Sequence, residues 1–194
     1  MHAQLSLDGI DPPVYTDSLF YALLPEAESA RHMVDLAKRL RVDYRLKGTA
    51  IPSERLHVTL AFLGAFAGVP KAVVASAIVA GERLEAAPFD VSFDRVQKFG
   101  HDKRAVVLRG TEGGDSAVDE FQHRLLEAMR YQGVKPAGPT GFTAHLTLLY
   151  DEGAIAEERV GPIGWTAREF VLVHSLIGQS RYEILGRWPL RSRA

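Results

Sequence analysis

His57-Val58-Thr59-Leu60 and His145-Leu146-Thr147-Leu148 are two tetrapeptides of one form, 88 residues apart in a chain of 194. Each lies in a short apolar run, 56–63 and 145–150, that reads as a strand. Side chains alternate along a strand, so the His and Thr of each tetrapeptide emerge on one face and their apolar partners on the other. Random placement of the same His and Thr residues would give about 0.3 His-x-Thr triplets. Two, with matched flanks, point to a pair of imidazoles and a pair of hydroxyls converging on one cleft.

The segments ahead of the two tetrapeptides repeat as well. Residues 18–24 read as a buried strand, and 26–41 as a helix with Ala30, Met33, Val34, Ala37 and Leu40 at helical spacing. A polar loop then leads into the first tetrapeptide. Further on, 105–109 read as a strand and 115–130 as a helix with Val118, Phe121, Leu125, Leu126 and Met129 on one face. A loop rich in Gly and Pro, 133–141, then delivers the second. Two similar lobes related by a pseudo-twofold are expected. Between them, 64–69 reads as a turn, 70–84 as a helix and 89–99 as an imperfectly alternating strand. Strands at 169–177 and 182–189 close the chain. Residues 1–17, with Asp11-Pro12-Pro13, read as an irregular arm, and 18–194 as one bilobal domain.

Composition narrows the function classes. Hydrophobic residues make up 46%, and mean hydropathy is −0.05, as in an ordinary globular protein. The start of the chain lacks the charged and apolar regions of a secretory signal. The longest apolar-rich stretch, 72–80, is too short to span a bilayer. Zero cysteines exclude disulfides, thiolate metal sites and Cys nucleophiles, and fit a cytoplasmic location. A net charge of −1 and a pI of about 6.7 give no sign of a basic stripe. They favour recognition of a terminal phosphate over coating of a duplex.

Paired histidines suit acid–base chemistry at a phosphoester. One neutral imidazole removes a proton from the attacking oxygen, and one protonated imidazole gives a proton to the leaving oxygen. Thr59 and Thr147, two residues beyond the histidines on the same face, can hold the non-bridging phosphate oxygens without a metal or other cofactor. Arg45, Lys47, Arg55, Arg104 and Lys135 are candidate anion-binding cations, with Arg104 favoured because it opens a strand in the second lobe. His32 and His123 read as helix-surface residues, His2 and His101 as arm and turn residues, and His174 as a strand residue of core or cleft. A zinc site finds no third ligand at a telling spacing. A Ser-His-Asp hydrolase finds no Gly-x-Ser-x-Gly elbow.

LHVTLAFLG (56–64), HLTL (145–148), YEILGRWPL (182–190) and FYALLP (20–25) together resemble the two-histidine phosphoesterase superfamily. Within it, the chain looks most like the bacterial and archaeal RNA 2',3'-cyclic phosphodiesterases, also called 2'-5' RNA ligases. The resemblance runs from about residue 18 to 190. It implies an α+β fold of two pseudo-symmetric lobes, each an antiparallel sheet with flanking helices, around a central cleft with one motif from each side. It implies hydrolysis of a 2',3'-cyclic phosphate to a 2'-phosphate, with His145 as proton acceptor, His57 as proton donor, and Thr59 and Thr147 holding the phosphate. The reverse, 2'-5' ligation, uses the same two proton transfers. Two positions depart from the pattern. Ala144 precedes the second His where Pro is common, and Tyr150 stands where many members have Arg, which makes Tyr150 and Arg104 candidate substrate-binding residues. The expected partner is an RNA 3' end or a small cyclic-phosphate nucleotide, with no membrane, bound by a monomer. The alternatives are a nucleotide- or RNA-end-binding module without turnover, and action on a small non-RNA cyclic phosphate.

Overall fold

A computed structural model describes residues 14–99, 104–110, 116–138 and 141–191. Among them the order is β1 (Asp17–Leu23), α1 (Ala27–Asp43), a 3-10 turn (Ser53–Arg55), β2 (Val58–Phe66), α2 (Lys71–Arg83), β3 (Phe89–Phe99) and β4 (Ala105–Arg109). There follow α3 (Ser116–Tyr131), β5 (His145–Tyr150), β6 (Glu158–Ala167), β7 (Glu169–Leu176) and β8 (Arg181–Pro189). The arm expected over 1–17 lies largely outside the described residues, and β1 already opens at Asp17.

The two sheets expected from the sequence are two halves of one open antiparallel sheet, ordered β6-β3-β4-β5-β2-β1-β7-β8. The order is symmetric about the β5/β2 junction. β1, α1 and β2 of the first repeat correspond to β4, α3 and β5 of the second. The flanking pairs do not follow the halves of the sequence, because β3 joins β4 and the last two strands return to β1.

One face of the sheet carries the helices. Ala30, Met33 and Leu40 of α1, Ala77 and Ala80 of α2, and Phe121, Leu125 and Met129 of α3 pack there against Leu19, Tyr21, Leu23, Val58, Leu108 and Leu146. Burying each large apolar side chain contributes about 1.5–3 kcal/mol. The other face is open. It carries a small apolar cluster of Phe20, Ala22, Val171 and Val173 beside Leu24 and Tyr182.

Two expectations are corrected. Residues 64–66 continue β2 instead of forming a turn. The register slips one residue between Leu19↔Gly64 and Phe20↔Phe62, and Gly64, at φ +131°, takes a backbone conformation that side chains disfavour. The strand β6 is one that the sequence pattern does not predict. Gly161, Pro162 and Gly164 interrupt it, and they are tolerated because β6 is an edge strand whose pairing with β3 skips 160–162.

Candidate active site

Val58 pairs with Leu146 at the junction of the two halves, and both are fully buried on the helix side. Their neighbours alternate to the open face, where His57, Thr59, His145 and Thr147 are all half-buried. Side chains of adjacent cross-strand positions lie roughly 4.5–8 Å apart, so the two motifs form one compact polar patch.

Both imidazoles are oriented by their own strands' approach. His57 Nδ1 lies 2.8 Å from the Arg55 carbonyl, and His145 Nδ1 lies 2.7 Å from the Thr143 carbonyl. A carbonyl only accepts, so each Nδ1 carries the hydrogen and each neutral ring keeps the Nε2 lone pair free. Rings hold the imidazoles from below. Phe20 stacks on His57 at 4.8 Å and Tyr182 meets its edge at 5.6 Å, with the Arg55 guanidinium over Tyr182. Phe99 packs on His145 at 4.5 Å.

This setting moves both histidines the same way. Burial pushes His57 below its ordinary value, the Arg55 carbonyl opposes that shift, and the charges of His145 and Arg55 add to it. Burial likewise pushes His145 down against the Thr143 carbonyl, and the Arg109 charge adds to the lowering. Neutral imidazole is favoured at both positions until an anion arrives.

The other candidates disperse. Arg104 precedes β4 and Tyr150 ends β5, five residues and about 16 Å along the strand from His145. They line a separate pocket with Asp151 and Glu152, and Arg104 faces Glu152 at 3.9 Å. The cation beside His145 is instead Arg109, its cross-strand partner. The sequence does not reveal it, because register between strands is not a local signal. Lys135 lines a pocket against α3 with His123 and Arg130. Arg45 and Lys47 are exposed in the loop after α1. His32 and His123 are exposed, whereas His2 and His101 lie outside the described residues. His174 is buried on the core side, its Nε2 2.5 Å from Asp17 Oδ1. Among the described residues no cluster of His, Asp and Glu suited to a metal is present. No described helix is long and apolar enough to cross a membrane.

A sequence model of the 2'-5' RNA ligase superfamily matches residues 25–176. No curated protein matches significantly in sequence. Among solved structures, Escherichia coli LigT in apo form is 25% identical, with a TM-score of 0.70 over 92% of this chain and 100% of its own. LigT complexed with 3'-AMP is 24% identical with a TM-score of 0.73, covering 91% and 99%. TT0787 of Thermus thermophilus is 24% identical with a TM-score of 0.68, covering 91% and 100%.

Proposed function

The chain belongs to the 2'-5' RNA ligase superfamily, and from that premise we propose that it is a metal-independent phosphodiesterase opening 2',3'-cyclic phosphates at RNA or nucleotide ends. The observation that carries this reading is the pair of Nδ1-anchored imidazoles sharing one face with two threonine hydroxyls across the β2/β5 junction. The complex of LigT with 3'-AMP supports a nucleotide as the ligand class.

In this mechanism His145 Nε2 takes a proton from water as its oxygen attacks phosphorus. The bond from phosphorus to the 3' oxygen breaks in line, and His57 Nε2–H protonates that oxygen, leaving a 2'-phosphate. Thr59 and Thr147 donate hydrogen bonds to the non-bridging oxygens, where charge builds in the transition state. The anionic phosphate between the rings raises the affinity of His57 for the proton it must give. Exchange with solvent then resets both histidines. With the 5'-hydroxyl of a second RNA end attacking in place of water, the same two transfers join the ends through a 2'-5' linkage as the bond to the 3' oxygen breaks.

Incubation with a 2',3'-cyclic mononucleotide in EDTA tests the reading, with products separated by chromatography. The expected product is the 2'-phosphate, formed at an undiminished rate in chelator. No ring opening, or ring opening that EDTA abolishes, would overturn it.

A further inference from the structure

Three arginines from separate segments of sequence line up beside His145. Arg109 pairs with His145, Arg95 with Arg109, and Arg159 with Arg95. Cross-strand partners share a face, so the row Arg159–Arg95–Arg109–His145 crosses the open face perpendicular to β6, β3, β4 and β5. Three strand spacings make it about 14 Å long. Neither net charge nor local composition reveals it, because the three residues meet only through strand register.

The charges along the row are unequally compensated. Arg95 is paired with Glu157, whose side chain is half exposed. With the Gln97 amide turned so that its oxygen faces Arg109, Gln97 accepts from Arg109 Nη1 at 3.2 Å and donates to Glu157 at 3.2 Å. Arg109 Nε donates to the Gly110 carbonyl at 3.3 Å. Among the described residues, then, the half-buried Arg109 meets neutral acceptors only. Arg159 is exposed at the β6 edge without a carboxylate partner among them. Guanidinium groups held on one face without full countercharge are a binding surface for planar or tetrahedral anions.

We infer that this row is the track for the phosphate backbone of a single-stranded RNA end, which enters over β6 and reaches the histidines at Arg109. The inference rests on the proposed function and adds that, among cyclic-phosphate substrates, an oligonucleotide end is bound in preference to a mononucleotide. A mononucleotide placed between the histidines does not extend to Arg95 or Arg159.

The test is fluorescence anisotropy with a labelled hexaribonucleotide ending in a 3'-phosphate, with unlabelled 3'-mononucleotide as competitor. The wild type should bind the hexamer more tightly than the mononucleotide. Arg159→Gln should weaken hexamer binding about fivefold at 0.1 M salt and reduce the slope of log affinity against log salt by about 0.7, the single-strand value for one phosphate contact. Arg31→Gln, the same charge change at an exposed position of α1, should leave binding unchanged. Equal affinity for hexamer and mononucleotide, wild-type binding by Arg159→Gln, or an equal loss in Arg31→Gln would each overturn the track. Ring opening of a cyclic mononucleotide is read separately, so failure of the hydrolytic mechanism and failure of the track are told apart.

Discussion

Val58 lies opposite Leu146 in the one register pair between β2 and β5, and both side chains are fully buried. That pair fixes the site. A slip of one residue would turn either motif's His and Thr into the core and expose its apolar partners. The penalty for burying two imidazoles and two hydroxyls without partners holds the four polar groups on the open face.

His57→Ala and His145→Ala should each lower ring opening by about 10²–10⁴, the usual worth of a positioned acid or base. Neither side chain belongs to the main core, so the far-UV circular dichroism spectrum should be unchanged. Turnover close to wild type in either variant would remove the acid–base assignment.

Thr59→Val and Thr147→Val keep the β-branched shape that suits a strand and delete only the hydroxyl. If each hydroxyl serves the transition state, kcat should fall by about 10²–10³ with a smaller change in KM. A rise in KM at constant kcat would mean that the hydroxyl binds ground state and transition state alike.

The depressed proton affinities of both histidines set the pH response. In the free protein, acid and base both titrate below the ordinary value of 6.5, so kcat/KM should peak on the acid side of pH 6.5. The bound phosphate raises both, and the kcat optimum should lie at higher pH than the kcat/KM optimum. For stability the sign is fixed by linkage. Between the folded values and 6.5 the unfolded chain holds more protons, so stability falls as pH drops below about 6.5 and levels off once the folded rings are protonated. A His57→Gln/His145→Gln variant should lose that part of the acid sensitivity in thermal melts across pH 5–7.5. A kcat/KM maximum above pH 7 would contradict the assignment.

What the sequence disclosed and what it hid follow from the range of each signal. Helices α1 and α3 and strands β4 and β5 carry their own periodicity, so the repeat and the two motif faces are readable residue by residue. β6 is hidden by Gly161, Pro162 and Gly164, which an edge strand accepts and a local pattern rejects. The ring contacts of Phe20 and Phe99 with the imidazoles, and the place of Arg109 beside His145, depend on which strands pair and in what register. Arg104 precedes β4 and Arg109 closes it, and only the antiparallel pairing with β5 puts Arg109 beside the histidine.

Gly81→Ala should destabilise the fold although alanine favours a helix. In α2, replacing Gly by Ala ordinarily gains about 0.5–1 kcal/mol. Here a Cβ on Gly81 would stand 2.5 Å from Trp188 Cζ2, inside any normal contact. The indole has little room to retreat: Phe170 stacks on it at 5.0 Å, Tyr21 sits at 6.0 Å, and Gly186 lies against the same Cζ2–Cη2 part of the ring. Tyr21 is itself held, its hydroxyl donating to the Ala77 carbonyl at 2.5 Å. Overpacking of a filled core costs about 1–3 kcal/mol, so the clash outweighs the propensity gain and the melting temperature should fall by a few degrees. Trp188→Phe in the same chain should relieve the clash, giving a double variant less destabilised than the sum of the singles. A higher melting temperature for Gly81→Ala alone would show that α2 shifts away from β8 more readily than this packing implies.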